Sequence, residues 1–405
     1  MFISTTASSP PRRPTGSHRP AAPADNASKL SGLELIRFIS AIAVLVWHYQ
    51  HFYYVADLPV GFVRQDQPFY AVLRLFYAYG FSGVQVFWCV SGYIFFWKYG
   101  QSIHERTLDF RKFLLFRFSR LYPLHLVTLL LVWAMQGIYF NTHQSYFVYP
   151  DNDLYHFVLQ LFMASDWGFQ KGYSFNGPIW SISLEILVYL LFFLTVRCFG
   201  PSPLVSVVLV AVGGAAVVAK VAHPVFGCMA SFYLGGLTAT GSRSVFAKAH
   251  QTLLKIMLLT FLVAAPVLAM TTGLGDSKYI KHLFILLYTP ALLYYMAEFF
   301  KVPNRLQKTV LMLGNVTYSS YLVHFPIQLS TALVCFYIGQ PVPAGNPLFF
   351  LAFMGFTLCL AVLTYQHFEM PAQSELRISL STRRTPRHPS ASAPAAACAG
   401  GRDGP

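Results

Sequence analysis

Apolar stretches of roughly 18 to 22 residues recur along nearly the whole chain, each long enough to cross a hydrocarbon core of about 30 Å. Ten such segments can be drawn, at about 33–53, 79–98, 121–139, 178–198, 203–221, 223–241, 253–272, 280–300, 314–338 and 347–368. The third is supported by the Tyr122-Pro123 pair near its start, because proline is tolerated in a first helical turn. Only Ala222, His223 and Pro224 separate the fifth from the sixth, where a tight re-entrant turn would also fit. The pattern predicts an all-α polytopic membrane protein with about ten transmembrane helices.

Composition agrees. Charged residues make up 11% of the chain, against about 25% in soluble domains. The net charge of +14 does not point to nucleic acid, since the basic residues gather in short loops and both ends. The segment after the second span carries Lys98, Arg106, Arg111, Lys112, Arg117 and Arg120, whereas the next long loop carries one lysine and three aspartates. Arg243 and Lys248 follow the sixth span, and Lys301, Arg305 and Lys308 follow the eighth. The positive-inside rule therefore places both termini in the cytoplasm, which requires an even number of spans. Residues 1–29 and 373–405, rich in Pro, Ser and Ala, read as disordered basic tails around a membrane domain at 30–372. The first tail lacks the apolar core of an export signal. Six cysteines without CxxC spacing indicate neither a disulfide framework nor a metal site.

Against this apolar background a few ionisable residues stand out. In LELIRFISAIAVLVWH, Arg37 and His48 are eleven residues apart and fall on one helical face, with Glu34 near the same stripe. Such a stripe must face the bundle interior, because a charge in lipid costs several kcal/mol. Snorkelling of Glu34 and Arg37, or a His48 that merely packs, is the plainer alternative; His51 reads as interfacial. In FRFSRLYP, Arg117 and Arg120 share a face, as a phosphate site or as ordinary membrane anchoring. Glu185 lies about two turns into the fourth span with Ser181 one turn behind it. Its role is either functional or as structural partner to an Arg or His elsewhere. Ser320, Tyr321 and His324 form a late polar patch before Pro326, expected to kink the helix, and Glu369 closes the tenth span near the interface.

These blocks, in this order, resemble the membrane acyltransferase-3 family, which O-acylates bacterial surface glycans, nodulation factors and some macrolides. LELIRFISAIAVLVWH is similar to its opening helix with Arg-x10-His spacing, and VFWCVSGYIFF to its Phe-Phe-x-Leu-Ser-Gly block. FRFSRLYPLHL resembles its Arg-x-x-Arg-Leu-x-Pro block, WSISLEILVYL its Trp-Ser-Leu-Ser-x-Glu block, and TYSSYLVHFPI its late Ser-Tyr-x-x-Tyr-Leu-x-His-x-Pro block. Here Glu34 replaces the family's Asp, and Leu35 and Phe38 replace glycines. No periplasmic esterase-like domain follows, so acyl transfer is expected to be completed by the membrane unit.

The resemblance implies a bacterial inner-membrane enzyme with acyl-CoA, most often acetyl-CoA, as donor and a glycan hydroxyl as acceptor. Arg117 and Arg120 would hold the CoA phosphates, helped by Arg37. His48 would be the general base, with Glu185 orienting it or binding the acceptor. Glu34, Ser91, Tyr122, Trp180, Ser181, Tyr318 and His324 would line the substrate path. No metal is expected. Direct transfer along one polar seam, or an acyl-histidine relay, would complete the chemistry. A transporter or flippase of a lipid-linked glycan or small solute is the rival from another class, since a Glu-Arg-His stripe also suits a proton-coupled carrier. Absent repeat symmetry weighs against it.

Overall fold

The computed structural model describes residues 24–221, 223–272, 277 and 280–382. Helices α1 (Ala24–His48), α2 (Tyr70–Tyr79), α3 (Gly83–His104), α4 (Phe110–His143) and α5 (Leu154–Leu161) come first. They are followed by α6 (Trp180–Phe199), α7 (Pro203–Val218), α8 (Val225–Gly241), α9 (Val245–Ala249) and α10 (Gln251–Thr271). The remainder are α11 (Ile280–Leu283), α12 (Thr289–Glu298), α13 (Asn304–Tyr337), α14 (Pro347–Thr364) and α15 (Met370–Thr382). A two-residue hairpin, β1 (Tyr54–Val55) and β2 (Leu58–Pro59), is the sheet found among the described residues.

Each of the ten predicted segments falls on helical residues, and among the described residues five helices are long and apolar enough to cross a membrane by length and composition. The predicted boundaries need correction. The first helix already runs from Ala24, inside the stretch expected to be a tail, and α15 reaches Thr382, ten residues past the expected end. In α15, Arg377 holds on to α4 by donating to Ser119 Oγ at 3.2 Å, so a segment of low hydropathy is ordered by packing. Similarly α4 begins at Phe110, not Leu121, because Asp109 caps it by accepting from the Lys112 N–H. Arg117 and Arg120 therefore ride on a helix continuous with the membrane segment.

Close approach of helices is set by small residues. A Cβ on Gly92 of α3 would lie 1.8 Å from the Phe232 carbonyl oxygen of α8, and one on Gly235 would lie 1.9 Å from the Cys89 carbonyl oxygen. These two glycines let α3 and α8 pack backbone to backbone, the usual solution where lipid gives no hydrophobic drive between helices. In α13, Pro326 cannot donate to the Leu322 carbonyl four residues earlier, yet the helix runs on to Tyr337. Asn176 donates its Nδ2 to that carbonyl at 3.0 Å, so the loop before α6 satisfies the group that proline leaves free. Two π turns, Phe284–Tyr288 and Tyr365–Glu369, interrupt α-helical geometry; the second swings Glu369 inward, where its Oε2 accepts from Ser319 Oγ at 2.6 Å. Glu369 is thus buried, not interfacial.

Gly235→Ala should cost about 1–3 kcal/mol and lower the melting temperature in detergent by several degrees. Gly137→Ala, on α4 where an added Cβ meets nothing within 4 Å, should leave it unchanged or raise it. In the loop between α5 and α6, burial pushes the Asp166 carboxyl up to about 6, against the opposing pull of His223 and Gln170. A raised carboxyl favours the fold below the ordinary value of about 4 and loses that contribution as pH climbs through 6. Asp166→Asn should therefore raise the melting temperature relative to the parent at pH 8 and not at pH 4.

Candidate functional site

Two cavities lie side by side inside the bundle. The first, of about 120 Å³, is bounded by Arg37 of α1, Ser91 of α3, Arg117 and Arg120 of α4, Glu185 of α6 and Tyr318 of α13. Arg37 is held by Glu34 Oε2 at 2.6 Å and by Thr317 Oγ1 at 3.2 Å, so both arms of its fork are committed. Arg117 donates to the Tyr99 hydroxyl at 2.6 Å and lies over the Phe95 ring at 4.6 Å, leaving its buried Nε unpartnered. The carboxyls of Glu369 and Glu34 act on Arg120. Glu185 lies in reach of Ser91 and Tyr189 and keeps a buried Oε1 without a hydrogen-bond partner. Three guanidinia and the Glu185 carboxyl thus line one small space, with Glu34 and Glu369 beside the arginines, and an anion would compete for the fork of an arginine.

The second cavity, of about 370 Å³, is lined by Trp47 and His48 at the end of α1, by Gln50 and His51 of the 3-10 turn Tyr49–Tyr53 that follows it, and by Tyr149 and Trp180. The β1–β2 hairpin covers it: Asp57 donates its N–H to the Val148 carbonyl at 2.5 Å, and both turn residues, Ala56 and Asp57, adopt positive φ. This geometry places Tyr54 and Asp57 in the cavity wall. His48 is 5% exposed, and its ring stacks on His324 of α13 at 4.8 Å and lies 4.8 Å from His51. Its Nδ1 has no partner of good geometry, with the Val44 carbonyl beside it one turn back. Both nitrogens of His324 are likewise without a well-aligned partner.

One layer of side chains separates the two spaces. Val84 lines both; Trp180 faces the histidine cavity while the next residue, Ser181, faces the arginine cavity. Ser181 Oγ bonds the Tyr321 hydroxyl at 2.9 Å, which in turn donates to the Pro178 carbonyl at 2.5 Å. The Tyr321 ring is 6.4 Å from that of His48. The single seam expected from the sequence is therefore two compartments with a thin wall between them.

Of the expected residues, Arg37, Arg117, Arg120, Glu185, Ser91, Ser181 and Tyr318 line the arginine cavity, and His48 and Trp180 line the histidine cavity. Glu185 opens on the arginines and not on the space that holds His48, so an orienting contact between them is absent. Three residues expected to line the substrate path lie off both cavities. Glu34 is spent on Arg37 and pressed against Gly314, Tyr122 stacks on Phe118 at 4.4 Å, and His324 is buried behind His48. His51, expected at the interface, is buried and bonded to Gln328 at 3.1 Å. Nothing local in the sequence marks Gln328 or Tyr149. The i, i+3 spacing of His48 and His51 was the available signal, since it puts both imidazoles on one side of the chain. No cluster of three or more metal-ligating side chains occurs among the described residues.

Comparison with known proteins agrees with this architecture. An acyltransferase of Streptomyces mycarofaciens, MdmB, is 28% identical over 167 residues, which cover 40% of this chain and 38% of the relative. The match thus spans about two-fifths of that curated protein's length. No solved structure matches. A family model described as an acyltransferase domain matches residues 30–366, from the Glu34–Arg37 end of α1 to the start of the π turn that follows α14. With its apolar helices and this match over most of its length, the chain is a multi-pass membrane protein and belongs to the membrane acyltransferase-3 family.

Proposed function

We propose that the chain is an O-acyltransferase that moves an acyl group, acetyl in the first instance, from acyl-CoA to a hydroxyl of a surface or exported glycan. The observation that carries this reading is the position of His48, buried in a roomy cavity one side-chain layer from three arginines. In this reading all ten apolar segments cross a bacterial inner membrane, with both tails and the arginine end in the cytoplasm, where acyl-CoA is made. Arg117 and Arg120 bind the phosphates of the donor, and Arg37, fixed by Glu34 and Thr317, adds to the positive field. The pantetheine arm brings the thioester to the wall at Ser181 and Tyr321.

The chemistry is then a direct displacement. The acceptor hydroxyl gives its proton to His48, and its oxygen forms a bond to the acyl carbon. The C–S bond breaks, and the departing thiolate takes the proton back from the imidazolium. The Ser181–Tyr321 pair, whose protons are committed to each other and to the Pro178 carbonyl, shapes the wall against which the thioester lies. Products are the ester and free CoA thiol.

His48→Ala should lower acyl transfer at least 10²-fold while the purified protein binds CoA as before; a loss under tenfold would remove His48 as the base. Arg120→Ala and Arg117→Ala should each weaken CoA binding about tenfold, as expected for loss of a charge-assisted hydrogen bond. Calorimetry in detergent reads this directly. Absence of CoA binding in the parent, together with solute uptake into vesicles, would favour a carrier.

A further inference from the structure

Within the reading above, we infer that His51 is a specificity-determining residue that selects acceptors carrying two adjacent hydroxyls, accepting a hydrogen bond from the neighbour of the hydroxyl that reacts.

The inference rests on a hydrogen-bonded chain of fixed polarity. Gln328, fully buried on α13, donates its Nε2 to the His48 carbonyl at 2.9 Å. Turning that amide over would set two oxygens face to face, so its Oε1 must be the atom that meets His51 Nδ1 at 3.1 Å. An amide oxygen only accepts, which puts the His51 proton on Nδ1 and leaves Nε2 as an acceptor. Nε2 faces the Tyr149 hydroxyl at 3.3 Å, a long contact that a substrate hydroxyl can take over. Tyr149 and His51 both line the histidine cavity, so the acceptor nitrogen stands at the substrate space and not in the packed interior.

His48, the base in this reading, presents its ring to the same cavity, with ring centroids 4.8 Å apart, and as a base offers an acceptor nitrogen there. Two imidazoles, each offering an acceptor, fit two O–H donors a short bond path apart. A lone hydroxyl would engage His48 alone and leave His51 Nε2 with its long Tyr149 contact, forgoing the second hydrogen bond that an adjacent hydroxyl makes. Trp47 and Trp180 supply flat apolar walls that suit the ring bearing such a diol.

The test compares a tetrahydropyran carrying two adjacent hydroxyls with the corresponding mono-ol, binding to the full chain in nanodiscs by saturation-transfer NMR. CoA binding is measured on the same sample, and protein-free discs correct for partition. The parent should bind the diol about tenfold more tightly, and His51→Phe should bring the two probes to the same affinity with CoA binding unchanged. His51→Gln, whose carbonyl restores an acceptor at nearly the reach of Nε2, should recover part of the preference. Equal affinity of the parent for both probes, binding of neither, or a preference that survives in His51→Phe would overturn the inference. Failure here with CoA still bound leaves the acyltransferase reading standing; failure of CoA binding in the parent counts against that reading itself.

Discussion

The structure depends on the cost of placing an ionised or hydrogen-bonding group in hydrocarbon. That cost, several kcal/mol for each charge, turns every polar face of these helices toward the others. It acts most clearly where α1 meets α13. Arg37 reaches Thr317 near one end of that contact, and the His48 carbonyl receives the Gln328 amide near the other. Between them the two helices are tied at both ends of one polar stripe, and the stripe becomes the floor of both cavities. Gly314, pressed against the Glu34 side chain, keeps the helices close enough for this.

The same constraint explains how the loops serve the site. A proline within α13 frees the Leu322 carbonyl in a place where no water can reach it, and Asn176 satisfies it from the segment that starts α6. That one bond fixes Pro178, Trp180 and Ser181 against Tyr321, and so builds the wall between the compartments. The π turn that buries Glu369 works similarly at the opposite end, adding a carboxylate beside Arg120. Glu34 bonded to Arg37 and Glu369 beside Arg120 thus hold those guanidinia in place before any anion enters.

The helices and the family were legible in the sequence because they follow from length, apolarity and spacing along one strand of chain. The Arg37–His48 stripe and the Arg117–Arg120 pair were legible for the same reason, being local geometry on single helices. What could not be read were contacts between helices distant in sequence. His51 looked interfacial because its burial is provided by Gln328, 277 residues away. Glu185 looked like a partner for His48 since depth in a span can be counted, whereas the compartment it opens on depends on how α6 packs against α3. Helix ends were missed at α4 and α15, where a cap and an arginine contact order polar residues that hydropathy assigns to loops or tails.

The central claim is that an acyl thioester held by the arginines ends within reach of His48. A cryo-EM structure with a non-cleavable thioether analogue of acetyl-CoA tests it most directly. The account predicts phosphates at Arg117 and Arg120 and the acetyl mimic between Ser181 and the His48 ring. Nucleotide density at the hairpin-covered end, or an acyl end lying in lipid away from the imidazole, would contradict it.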